Sequence, residues 1–168
     1  MSRKFLLAFL ISFLIIIIPT LYFIDKVCFL CPIEYKKGIV IRNDDYGNGD
    51  FGARRSGNRR HNGIDLYAEI GTDIRAVSFA RVAEVGFHKG LGNYIELHHQ
   101  GDLVTIYGHL QQVSVRQGQL VAQKQVIGKT GKTGNANHPK ILPHVHFEIR
   151  KDNVPIDPTE LLEQKIRR

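Results

Sequence analysis

The chain has 168 residues, 43% of them hydrophobic, and 23 basic against 16 acidic side chains give it a formal net charge of +7 at pH 7. This length leaves room for one domain with an ordinary core. The basic excess comes without aromatic interleaving or a helix-turn-helix pattern, so no nucleic-acid partner is expected.

The first predicted element is a membrane anchor over residues 1–24. Phe5–Ile24 carries no charged residue, and about 20 residues of helix span the ~30 Å hydrocarbon core of a bilayer. A cleaved signal peptide has a shorter apolar region and a small-x-small cleavage site, which this segment lacks. Arg3 and Lys4 favour a cytoplasmic N-terminus, although lysines beyond the helix weaken that asymmetry.

Residues 25–37 are predicted to form a connector that reaches at most about 45 Å when extended, and residues 38–168 to form one domain. Cys28 and Cys31, the two cysteines, both lie in the connector, so they do not form a disulfide framework through the domain. They lack the partners of a structural zinc site. A local disulfide, free thiols and acylation all remain open.

From residue 38 onward, short β-type runs alternate with Gly, Asn and Asp. Their spacing of about 8 to 12 residues predicts an all-β, predominantly antiparallel domain. The runs are GIVI, GIDLYA, DIRAV, ARVAEVGF, NYIELHH, LVTIYGHL, QVIGK and HVHFEIR. Only the end is predicted as a short helix, with Asp157 as N-cap, Pro158 at the first position and Glu160 at the third.

The last of these runs, HVHFEIR, places two histidines on the same face of the predicted strand. Successive side chains of a strand point to opposite faces, so His144, His146 and Glu148 share one face while the apolar residues between them share the other. A half-exposed strand with a polar face is the simpler interpretation of this pattern alone. Other histidines at strand ends, among them His88, His98 and His99, are expected at the surface.

Two further motifs precede that strand. In RHNGIDL, His61 and Asp65 are four residues apart on an expected strand and share a face. Imidazole and carboxylate are both zinc ligands. In YGHL, His109 follows Tyr107 at the end of another β-run.

Together these motifs resemble the zinc metallopeptidase family of lysostaphin, family M23, in which a His-x-Gly-x-Asp, a Tyr-x-His-Leu and a Gly-rich turn lead into a His-x-His strand. The resemblance covers roughly residues 38–157. It implies that His61, Asp65 and His146 bind one Zn²⁺ per chain and leave a fourth position for water. It also implies that His109 and His144 act as catalytic groups, one accepting the proton of the water and the other serving the oxyanion or the leaving amine.

The activity that the resemblance implies is a zinc metalloendopeptidase that cuts peptides of bacterial peptidoglycan, on the outer side of the cytoplasmic membrane. A catalytically silent member that binds wall peptides or a partner enzyme is the alternative. The motifs do not distinguish a glycyl-glycine bond from a D-alanyl cross-link. A tyrosine of the cleft wall cannot be matched, and Tyr46 is the nearest before His61.

One basic segment remains unassigned. ARRSGNRRH places four arginines just before His61, namely Arg54, Arg55, Arg59 and Arg60. Their summed field would attract an anionic polymer. A solvated basic loop is the alternative interpretation.

Overall fold

The structure is a computed structural model, and it describes residues 29–36, 38–162 and the backbone of 166–167. The predicted membrane anchor, residues 1–24, lies outside these residues. Within the described part of the chain, no helix has the length and apolar character needed to cross a membrane.

The described residues form β-strands and three short 3₁₀ helices. The strands are β1 (Ile39–Val40), β2 (Asn43–Asp44), β3 (Gly47–Asn48), β4 (Ile64–Tyr67), β5 (Asp73–Arg75), β6 (Ala80–His88), β7 (Gly92–His98), β8 (Leu103–Val113), β9 (Leu120–Val121), β10 (Val126–Thr130), β11 (His144–Lys151), β12 (Val154–Ile156) and β13 (Ile166–Arg167). The 3₁₀ helices are Ser56–Asn58, Gly134–Ala136 and Pro158–Glu160.

Nine strands form one antiparallel sheet. Its main path runs β12-β11-β8-β7-β6-β9, with β4 on β11 and with β10 pairing both β5 and β8. The prediction of an all-β, predominantly antiparallel domain is confirmed, and each of the eight predicted runs contains a strand. The short strands β2, β3, β9, β12 and β13 were not predicted, because two or three residues carry too little periodicity.

Strand β11 separates the core from the candidate site. Val145, Phe147 and Ile149 are fully buried on one face, where the rings of Phe147 and Tyr107 pack with centroids 5.2 Å apart. His144 and His146 lie on the other face. They too are largely buried, although this face carries polar side chains.

The described part of the expected connector packs into the domain. Phe29 and Ile33 are buried in the core, and the backbone N–H of Leu30 donates to the carbonyl of Val77 at 3.1 Å. Residues 29–36, predicted as part of a connector, therefore pack against the domain, because burial removes apolar side chains such as those of Phe29 and Ile33 from water.

The C-terminal helix is predicted wrongly in length. The Asp157 side chain does accept from the N–H of Thr159 at 2.9 Å, but the helix is a single 3₁₀ turn, Pro158–Glu160. Leu162 then forms a bridge to Phe29 and is buried in the core, and β13 pairs with β1. These tertiary contacts favour an extended backbone over the local helix propensity.

The packing of Phe29 generates a testable prediction. Phe29→Ala should lower the free energy of unfolding by about 3–5 kcal/mol, because it removes a fully buried aromatic side chain and leaves a cavity. Phe87→Ala is the matched control: Phe87 is 69% exposed, so its loss should cost less than about 0.5 kcal/mol. Urea titration of the full-length chain, followed by tyrosine fluorescence, measures both values. Equal, small changes in the two variants would show that Phe29 is not part of the core.

Candidate metal centre

Three residues from separate motifs bring one donor atom each to the same point. His61 Nε2 lies 2.9 Å from His146 Nδ1 and 3.0 Å from Asp65 Oδ1, and His146 Nδ1 lies 3.0 Å from the same oxygen. All three side chains are buried. The edges of a zinc tetrahedron are about 3.3 Å long for bonds of about 2.0 Å. The donor types and their spacing therefore fit a zinc ion.

The pairing of two strands positions this triangle. Asp65 on β4 stands directly opposite His146 on β11, so their side chains lie on the same face of the sheet. His61 reaches them through a bend at Gly63, whose backbone lies so close to β11 that a Cβ there would overlap the carbonyl oxygen of Phe147. Glycine is therefore required between the two ligands.

Hydrogen bonds fix which nitrogen of each histidine faces the triangle. The Nδ1–H of His61 donates to the carbonyl of Asp50 at 2.9 Å, which leaves Nε2 as the ligand atom. The Nε2–H of His146 donates to Glu148 Oε1 at 2.9 Å, which leaves Nδ1. Glu148 is in turn held by Arg150 at 2.6 Å. Such outer partners orient a ligand and raise its basicity. Alternation along β11 already placed Glu148 beside His146, although no role was assigned to it.

The second oxygen of Asp65 is held by two arginines. Arg42 Nη2 lies 3.2 Å and Arg55 Nη2 lies 3.3 Å from Oδ2. Burial alone would raise the pKa of Asp65, but the contacts with the imidazoles of His146 and His61, together with the charges of His146 and His144, outweigh burial and hold that pKa well below its ordinary value. The carboxylate is therefore ionised. No sequence motif pointed to Arg42, which precedes Asp65 by more than twenty residues.

The triangle attracts positive charge. Burial alone would lower the pKa of His146, but the hydrogen bonds and charges of Asp65 and Glu148 raise it to about 9. The same two carboxylates that stabilise a proton on this imidazole would stabilise a metal cation bound to its Nδ1.

The remaining two predicted histidines stand beside the triangle. The rings of His109 and His144 meet edge to face with centroids 4.8 Å apart, and His144 Nε2 lies 3.9 Å from Asp65 Oδ1. Their Nδ1–H groups donate to the carbonyls of Thr133 at 3.0 Å and Leu142 at 2.7 Å, respectively. Each ring therefore keeps Nε2 as an acceptor.

Both of these histidines are neutral at neutral pH. Burial, followed by the charges of His144 and His146, lowers the pKa of His109 to about 3. Burial also lowers the pKa of His144. Two unprotonated imidazoles next to an ionised carboxylate form a set of proton acceptors.

An irregularity in β8 turns His109 toward the site. Tyr107 and His109 are two apart and would share a face in a regular strand, yet Tyr107 is in the core and His109 is beside His144. The pairing of β8 with β7 shifts register between these positions, and His109 has a φ of 63°. This bulge re-aims the imidazole, as bulges near functional sites often do.

The five predicted residues line one cleft of about 600 Å³. Tyr46 and His88 also line it; His88 was expected only at the surface. His138 lies near the cleft only through its ring contact with Tyr46, at a centroid distance of 4.6 Å. The Nδ1–H of His99 instead donates to the carbonyl of Phe79 at 3.1 Å, and its Nε2 accepts from the hydroxyl of Thr105 at 2.8 Å.

Residues 59–158 match Peptidase family M23, so the chain belongs to this family. It is 40% identical over 106 residues to stage II sporulation protein Q of Bacillus subtilis, covering 62% of this chain and 37% of that protein. It is 36% identical over 97 residues to the peptidoglycan DD-endopeptidase ShyB of Vibrio cholerae, and this match covers 58% of this chain and 22% of that protein. The match thus spans little more than a third of the first relative and less than a quarter of the second.

The structure also resembles the catalytic domain of lysostaphin from Staphylococcus simulans. The TM-score is 0.58 at 30% identity, and the match covers 71% of this chain and 90% of that one. This likeness confirms the lysostaphin-type β fold that the motifs implied.

The donor triangle predicts that the full-length chain binds about one zinc per molecule, measured by elemental analysis after dialysis. His61→Ala, Asp65→Ala or His146→Ala should remove the ion, because two donors do not hold zinc tightly. His98→Ala is the matched control, since His98 is exposed and pairs with Glu96, and it should retain zinc. Full zinc content in the three ligand variants would contradict the site.

Proposed function

We propose that this protein is a zinc-dependent endopeptidase that hydrolyses peptide bonds in bacterial peptidoglycan. The observation that supports this most directly is the pair of neutral histidines, His109 and His144, beside an open triangle of three donors. A structural zinc site is closed by four protein ligands, whereas three ligands leave a position for water. The likeness to ShyB, a peptidoglycan DD-endopeptidase, supports the choice of substrate.

The metal, when bound, would supply Lewis acidity and lower the pKa of water to about 7. His144 is the proposed acceptor of the water proton. Its Nε2 lies 3.9 Å from Asp65 Oδ1, so the carboxylate stabilises the imidazolium that forms. The Nδ1–H bond to Leu142 keeps the ring in the tautomer that can accept.

His109 is proposed to serve the reacting peptide group beside His144. Its ring stands edge to face against His144 and 5.9 Å from the ring of His146. The bulge in β8 and the bond to the Thr133 carbonyl fix this position. Once His109 has taken up a proton, its imidazolium can pass that proton to the leaving amine or donate a hydrogen bond to the oxyanion.

These roles predict that His109→Ala and His144→Ala keep zinc but lose about 10²-fold or more in turnover, because each removes a positioned acid or base. Mass spectrometry of cross-linked wall fragments incubated with the full-length chain measures the products. His98→Ala should cleave at the wild-type rate. Normal turnover in either site variant, with zinc retained, would refute that residue's role.

A second candidate function is a catalytically silent member that binds wall peptides or a partner protein. The 40% identity to a relative whose name gives a role in sporulation and no peptidase activity favours it. The complete set of donors and neutral histidines favours the enzyme. The cleavage assay separates the two. Fragment binding with zinc present and without any product would identify the silent form.

We also propose that residues 1–24 remain as a membrane anchor and that the domain lies on the outer side of the cytoplasmic membrane. The uncharged Phe5–Ile24 segment supports the anchor, and the location of a wall substrate supports the orientation. A C-terminal reporter that is active only outside the cytoplasm should be active, and the mature N-terminus should be unprocessed. A cytoplasmic reporter signal would contradict the orientation, and a mature chain starting after Ile24 would contradict the anchor.

A further inference from the structure

The basic segment before His61 forms one wall of the metal-centre cleft. Its backbone folds back on itself: the N–H of Arg55 donates to the carbonyl of Arg59 at 2.9 Å, and the N–H of His61 donates to that of Ala53, also at 2.9 Å. Arg55, Arg59 and Arg60 line the cleft. The segment is therefore a hairpin fixed next to the candidate ligands, rather than a loop in bulk solvent.

The carboxylates that line the cleft are already paired with histidines and arginines. Asp65 holds its two histidines with Oδ1 and pairs with Arg42 and Arg55 through Oδ2. Glu148 holds His146 with Oε1 and Arg150 with Oε2. Each carboxylate oxygen that lines the cleft thus has a cationic or imidazole partner.

Arg59 and Arg60 carry the charge that remains. Both are exposed, and within the described chain neither guanidinium forms an ion pair. Arg59 donates to the carbonyl and hydroxyl of Ser56 at 3.1 and 3.4 Å, and Arg60 donates to the carbonyl of Gly52 at 3.1 Å. A guanidinium has five N–H donors, so both keep donors free. The bonds to the hairpin hold the two side chains in place before a ligand arrives.

We propose that Arg59 and Arg60 form a subsite that binds a free carboxylate of the peptide, next to the bond presented to the metal centre. This inference rests on the proposed function and narrows its substrate to carboxylate-bearing peptides. A D-alanyl cross-link to a diamino acid that has a second carboxyl group carries such a group beside the scissile bond, whereas a glycyl-glycine bridge has none. Guanidinium binds carboxylate in a planar, two-bond geometry that a lysine ammonium cannot reproduce.

Direct binding tests the subsite without requiring turnover. Two labelled peptides are compared, one with a free carboxylate beside the D-alanyl bond and one with that group as a carboxamide. Fluorescence anisotropy gives both dissociation constants on the full-length chain carrying His109→Ala, so that the peptide stays intact. The carboxylate peptide should bind roughly tenfold more tightly at low salt, and this advantage should shrink as salt rises.

The variant Arg59→Gln with Arg60→Gln should bind the carboxylate peptide no better than the carboxamide. Arg59→Lys with Arg60→Lys keeps the charge and should recover part of the difference. Arg116→Gln is the matched control, because Arg116 is exposed and lies outside the cleft. Zinc content and circular dichroism verify that each variant is folded, and the single substitutions replace the double one if it is not.

Equal binding of the two peptides by the parent chain would overturn the subsite. A loss in Arg116→Gln as large as that in the hairpin variant would also overturn it, since net charge alone would then explain the preference. Cleavage without any preference for the carboxylate would refute the subsite and leave the endopeptidase standing. Carboxylate-dependent binding by a wild-type chain that cleaves nothing would refute the endopeptidase and leave the subsite standing.

Discussion

The buried carboxylate of Asp65 is the interaction on which the site depends. One oxygen holds His61 and His146, and the other holds Arg42 and Arg55. An ionised carboxylate at this depth would be costly without partners, and its four partners come from different parts of the chain. The charge of Asp65 therefore holds the two histidine donors together around one oxygen. The ion pair of Arg55 with the second oxygen holds the basic hairpin next to the same site.

Neighbouring histidines of the site have pKa values shifted in opposite directions. His146 lies between two carboxylates and its pKa is raised to about 9. His109 is buried beside the imidazoles of His144 and His146, and its pKa is lowered to about 3. His144 is lowered in the same direction as His109. A site for a cation thus adjoins a site for accepting protons, which is the separation that the proposed metal-assisted hydrolysis requires.

The sequence predicted those features that depend on local pattern. Alternation identified the long strands, and the faces of HVHFEIR followed from it. It could not predict Arg42, whose link to Asp65 depends on tertiary packing, or the bulge that moves His109 off the face of Tyr107. Phe29 and Leu162 show the same limit. Phe29 lay in the predicted connector and Leu162 in the predicted helix, but the bridge between them holds both segments in an extended conformation. The sequence motifs predicted the residues of the site, but they did not predict the residues that hydrogen-bond to them.

Anomalous diffraction at the zinc absorption edge, on crystals of the zinc-loaded full-length chain, tests the central claim most directly. We expect one peak per molecule, bonded to His61 Nε2, Asp65 Oδ1 and His146 Nδ1, with a fourth position open toward His109 and His144. A peak bonded instead to Cys28 and Cys31, or a fourth protein ligand closing the coordination, would contradict it.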